Sequence, residues 1–157
     1  MASEDVILVC APKRDPVYAI KAGGNGLLND NSIAWTSKDE RPVTTDVPTP
    51  AFYQGDFFVL SDVRKSLSRV DPKSGKVKWT IRTPGSPKFE ASPTAADGKI
   101  YLVNFSAEVV VVDASDGAIL NVIKMDDPQD DPVRSGISVA QGNLFIRTTR
   151  KLFCIGK

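Results

Sequence analysis

Between residues 49 and 82 the chain alternates short apolar runs with polar turns. Apolar stretches at 49–53, 57–61, 67–71 and 76–82 are broken by Gly55 and Asp56, by a polar Asp-Val-Arg-Lys-Ser segment, and by a turn around Pro72 and Gly75. Short β-prone runs bounded by turn residues predict an antiparallel four-stranded meander. The pattern recurs at 92–124 and, shortened, at 136–157. The turn glycines Gly55, Gly98 and Gly142 fall at intervals of 43 and 44 residues, and Gly75 and Gly117 lie 42 apart. A period of about 40 to 45 residues with four strands per unit predicts propeller blades.

Upstream, apolar runs at 6–10, 17–21 and 32–37 fit the second, third and outermost strands of one more unit. The expected fold is all-β: a partial β-propeller of four-stranded antiparallel blades, about three to four in number, forming one domain over 1–157. Its parts are an incomplete first blade at 6–37, a second at 48–83, a third at 91–125 and a three-stranded last blade at 134–157. No apolar period of 3.6 residues persists for a full helix. The first blade is expected to lack its innermost strand and the last its outermost. Open edges and wet apolar faces predict self-association or a protein partner that completes the propeller.

Ser68 to Trp79, SRVDPKSGKVKW, resembles the Ala-x-Asp-x-x-Thr-Gly-Lys-x-x-Trp repeat of the PQQ-like, or quinoprotein alcohol dehydrogenase-like, β-propellers. VVVDASDGAILN, Val110 to Asn121, is a second copy with Asn121 in the tryptophan position, and the ending LFCIGK is similar to the inner-strand ending of secreted members. The resemblance implies that the motif tryptophan docks one blade on the next, which gives Trp79, with Gly75 and Gly117 in the turns, a structural role. Trp35, on the corresponding outer strand, is expected to act alike. The family includes quinone-dependent dehydrogenases and outer-membrane assembly scaffold lipoproteins, and it implies a periplasmic or extracellular location.

Composition narrows the chemistry. The 157 residues are 41% hydrophobic, a globular content. Twenty basic against 19 acidic residues leave a formal charge of +1, so no overall field favours nucleic acid or a membrane surface. No apolar run approaches the roughly 18 residues of a spanning helix, and membrane insertion is not expected. The chain has no histidine. That removes the commonest general base, the Ser-His and Cys-His nucleophile systems and the commonest transition-metal ligand. Gly23 to Gly26 lies between strands, where no phosphate loop forms. Cys10 and Cys154 sit in apolar strand patterns and are expected to be buried thiols.

Asp126, Asp127, Asp130 and Asp131 form the densest acidic cluster. They are weak candidates for a hard cation, because a calcium loop also wants a turn glycine and a bidentate glutamate, so a solvated interblade loop is expected. No catalytic or cofactor-binding residue is assigned. The expected function is a non-catalytic binding or scaffold module that meets another protein or an extracellular polymer through blade edges and loops. One alternative is the C-terminal part of a PQQ-dependent dehydrogenase, with PQQ and calcium on the ring axis, although that family's paired cysteines are absent. The other is a regulatory or sensory propeller of a larger protein.

Overall fold

A computed structural model describes residues 1–3, 5–10, 15–40, 42–125 and 132–156. Two compact units, Met1–Thr83 and Pro84–Lys157, each hold two antiparallel sheets. In the first unit, β1 (Val6–Val9), β2 (Tyr18–Lys21) and β3 (Ile33–Thr36) form one meander, and β4 (Ala51–Tyr53), β5 (Asp56–Ser61), β6 (Ser66–Val70) and β7 (Val77–Arg82) form the next. The second unit carries β8 (Thr94–Ala96), β9 (Lys99–Val103), β10 (Glu108–Asp113) and β11 (Ile119–Lys124). It ends with β12 (Ser138–Ala140), β13 (Asn143–Arg147) and β14 (Leu152–Ile155). The fold is the all-β architecture of a partial β-propeller, and no α-helix occurs among the described residues.

Tight turns set the spacing of the repeat. Gln54-Gly55, Asp97-Gly98 and Gln141-Gly142 each place two successive residues at positive φ, the type I′ geometry whose twist matches the flanking strands. Strand ends differ from the sequence reading where loop residues are apolar. Ala91 and Ile137 fall within the blade limits read from the sequence, yet both lie outside the strands and are buried in the core of the second unit. Thr94 Oγ1 donates to the Ile137 carbonyl at 2.6 Å, tying that loop to β8.

The expected gap at the inner side of the first sheet is partly filled. Ala2 bridges Ile7, the Leu8 amide donates to the Met1 carbonyl at 2.7 Å, and the Ser3 amide donates to the Val6 carbonyl at 2.9 Å. A row of apolar residues then crosses each sheet at the same level. It runs Ala2, Ile7, Ile20, Ile33 in the first and Phe52, Phe57, Val70, Val77 in the second. In the third it is Ala95, Ile100, Val112, Ile119, and in the last it stops after Val139, Leu144 and Ile155. The core of the first unit packs Phe57, Val59 and Val70 against Val6, Leu8, Val17 and Ala19. That of the second gathers Tyr101, Val103, Val109, Ile137 and Ile146.

Candidate functional site

The repeat motif builds a turn rather than a reactive centre. Asp71 Oδ1 accepts from the Ser74 hydroxyl at 2.7 Å and from the amides of Ser74 and Lys73 at 2.8 and 3.1 Å. These donors stabilise the ionised carboxylate, so the Ser74 hydroxyl first, then the backbone, hold the Asp71 pKa below its usual value. Asp113 repeats the device with the hydroxyl and amide of Ser115 and is lowered for the same reason. Gly75 follows at φ +73°, and Gly117 at φ +82°.

Trp35 lies on that turn. Its Nε1 donates to the Pro72 carbonyl at 2.8 Å, and a Cβ built on Gly75 would fall 2.6 Å from the indole Cδ2. A side chain at 75 has no room while the indole stays in place. Trp79 packs against Phe58, ring centroids 5.8 Å apart, on the same cross-strand level as Arg69. The Arg69 guanidinium stands 5.8 Å from the Phe58 ring centroid.

One buried ion cluster escaped the sequence reading. Asp56, almost wholly buried, accepts from Arg69 Nε at 2.6 Å, and Lys78 Nζ lies 2.9 Å from Oδ2 and 2.8 Å from Oδ1, the latter at ion-pair distance but off the hydrogen-bond direction. The three side chains come from β5, β6 and β7, so the cluster laces three strands together. Only the β-pairing register brings them into reach.

Among the described residues no three of His, Cys, Asp and Glu stand together as a metal set. Asp126, Asp127, Asp130 and Asp131 lie outside the described residues. The expectation of two buried thiols needs correction: Cys10 is half-buried, but Cys154 is exposed, because β14 is the edge strand of its sheet. Burial raises the Cys10 pKa, partly offset by a hydrogen bond from Thr45 and the nearby N-terminal ammonium. No helix among the described residues is long and apolar enough to cross a membrane.

The surface with unmet physical demands lies in the second unit. β14 ends the sheet order β12-β13-β14, with its far edge unpaired by any described strand. Leu152 on it is 69% exposed, and Ile155 and Val139 are exposed as well. Val139, Leu144 and Ile155, the three-membered row, line an open hollow of about 450 Å³ together with Ala96 and Tyr101. β11 is exposed along its whole length, including Ile119, Leu120, Val122 and Ile123. Such a concentration of exposed aliphatic side chains is the usual mark of an interaction surface. Neither the hollow nor the exposure of β11 was visible in the sequence.

A family model described as outer membrane protein assembly factor BamB matches residues 13–156. The crystal structure of BamB from Moraxella catarrhalis superposes with a TM-score of 0.67 at 14% identity, over 94% of this chain and 41% of that one. Quinohemoprotein alcohol dehydrogenase from Comamonas testosteroni gives 0.68 at 15% identity, over 92% of this chain and 28% of that one. The WD40 β-propeller domain of Doa1 gives 0.68 at 16% identity, over 95% and 45%. No curated protein matches. Structural likeness at such identities speaks for the fold alone, and this chain spans less than half the length of each of these three structures.

Proposed function

The chain belongs to the outer membrane protein assembly factor BamB family, and from that premise we propose that it is a non-catalytic, protein-binding scaffold propeller serving outer membrane protein assembly in the periplasm. One observation supports the reading beyond the family match: the exposed aliphatic side chains of β11, the edge strand of its sheet. A sheet edge offers a row of free amides and carbonyls, and a partner strand gains main-chain hydrogen bonds there while the apolar side chains set specificity. Contact through edges and loops needs no histidine, metal or cofactor.

The test is genetic and physical together. In cells from which the gene is deleted, the amount of folded outer-membrane β-barrel protein should fall, and the wild-type chain should restore it. Leu120→Lys, which puts a charge among those side chains, should restore it poorly at equal expression. Unchanged barrel levels, together with stoichiometric binding of pyrroloquinoline quinone in calorimetry, would overturn the scaffold reading in favour of the dehydrogenase alternative.

A further inference from the structure

We propose that Asn25 is a site of covalent self-modification. In the folded chain the Gly26 backbone nitrogen attacks the Asn25 side-chain amide, ammonia leaves, and water opens the resulting five-membered succinimide to aspartate or isoaspartate at position 25. The inference is independent of the scaffold reading above. Its basis is one loop that departs from the turns standing in its place elsewhere in the repeat.

Residues 71–76 join β6 to β7 and residues 114–118 join β10 to β11, and in each an aspartate, Asp71 or Asp113, holds the turn. The corresponding connection from β2 to β3 is longer, 22–32, and carries glycines at 23, 24 and 26 in place of such a clasp. Lys21 through Asp30 are all exposed, the setting in which chain chemistry concentrates. Gly26 has a φ of +67°, and a Cβ built on it would meet nothing within 4 Å, so no neighbour obstructs ring closure there.

The reaction needs a free carboxamide, a following residue without a Cβ to crowd the ring, and a backbone amide free to act as nucleophile. Asn25 is the one asparagine in the chain followed by glycine. Neither Asn25 nor Gly26 makes a hydrogen bond among the described residues. The other asparagines are held. Asn29 Oδ1 accepts from the Asn31 amide at 3.1 Å, Asn104 Nδ2 donates to Glu108 at 2.7 Å, Asn121 Oδ1 accepts from the Val122 amide at 2.9 Å, and Asn143 Nδ2 donates to the Gln141 carbonyl at 3.0 Å. For Asn31 the attacking nitrogen would be that of Ser32, which already donates to the Asn29 carbonyl at 2.9 Å. Asp116 also precedes a glycine and could close the same ring with loss of water. There the Gly117 amide donates to the Asp113 carbonyl at 3.0 Å, and Asp116 Oδ1 accepts from the Ala118 amide at 2.8 Å. Asn25 alone therefore combines the reactive pair with an unrestrained backbone.

The atoms balance without an oxidant or reductant. A bond forms from the Gly26 nitrogen to Asn25 Cγ, the Cγ–Nδ2 bond breaks, and the Gly26 amide proton departs with Nδ2 as ammonia. Water then cleaves either carbonyl–nitrogen bond of the ring. Cleavage on the Cα side carries the main chain through Cβ, which gives isoaspartate and lengthens the loop by one methylene. Either product is a carboxylic acid, ionised at neutral pH, so the formal charge falls from +1 to zero.

The test incubates the purified full chain in mildly alkaline buffer and follows it by ion exchange. Tryptic peptides are then mapped by mass spectrometry, with isoaspartate marked by methyl transfer from S-adenosylmethionine through a protein isoaspartate methyltransferase. An acidic species should accumulate, with its modification in peptide 22–38 at position 25 alone. Asn25→Gln should abolish that species while circular dichroism shows the strand content unchanged. In urea Asn25 should stay reactive, and isoaspartate should appear at 116 as well, since unfolding frees the Gly117 amide. An unaltered residue 25 in the folded chain, under conditions in which a synthetic 22–30 peptide loses ammonia, overturns the proposal. So does an acidic species that survives Asn25→Gln. Equal isoaspartate at 116 in the folded chain and in urea overturns the hydrogen-bond basis of the selectivity.

Discussion

Gly75 is where backbone and side-chain demands meet most tightly. Its φ of +73° is one that residues with a Cβ rarely adopt, and the Trp35 indole occupies the space a Cβ needs. Gly75→Ala should therefore destabilise the chain by about 2–4 kcal/mol, roughly 1 from the left-handed backbone and the rest from displacing the indole. Urea unfolding followed by tryptophan fluorescence measures it. In a Trp35→Ala background the same substitution should cost only the backbone share, the non-additivity expected of residues in contact. Asp71, a few residues earlier, makes the turn sensitive to pH. Its folded-state pKa lies below the unfolded value of about 3.9, so its stabilisation is present above that value and fades as the pH falls through the folded-state pKa. The difference in Tm between wild type and Asp71→Ala should accordingly be largest near neutrality and narrow below pH 4. A difference that stays constant into acid would show that the turn depends on neutral hydrogen bonds alone.

At the scale of elements, the second sheet is held by more than its ladder. Asp56, Arg69 and Lys78 join β5, β6 and β7 through one buried carboxylate. Asp56 is almost wholly buried and Arg69 largely so, while Lys78 reaches solvent, so Asp56→Asn should cost about 2 kcal/mol, chiefly from the Arg69 charge left without its carboxylate. Replacing Asp56 and Arg69 together by apolar residues should recover much of that loss, as denaturant midpoints would show. The strands themselves were legible, because type I′ turns at Gly55, Gly98 and Gly142 punctuate the chain every 43 or 44 residues. Their ends were less so. Ala91 and Ile137 are apolar because they fill the core from loops, and alternation of polarity cannot tell a buried loop residue from a buried strand residue. The exposed Cys154 misled for the complementary reason: an apolar edge strand looks in sequence like a covered one.

At the scale of the whole molecule, the proposed scaffold role predicts a phenotype in barrel levels rather than in substrate turnover. The likeness to a BamB, to a quinohemoprotein dehydrogenase and to a WD40 domain alike shows how widely one blade geometry is reused. The sequence by itself determined the blades: period, turn chemistry and strand alternation are local properties, written into neighbouring residues and readable without knowing what they touch. It likewise excluded histidine-based catalysis, since composition suffices for that. Tertiary structure alone decided which distant side chains meet and which stay exposed. The closeness of Trp35 to Gly75, the buried charge of Asp56, the hollow beside Tyr101 and the bare edge at Leu152 depend on which residues separate strands bring side by side. That is a matter of register and packing between distant segments, on which the order of residues along one strand is silent.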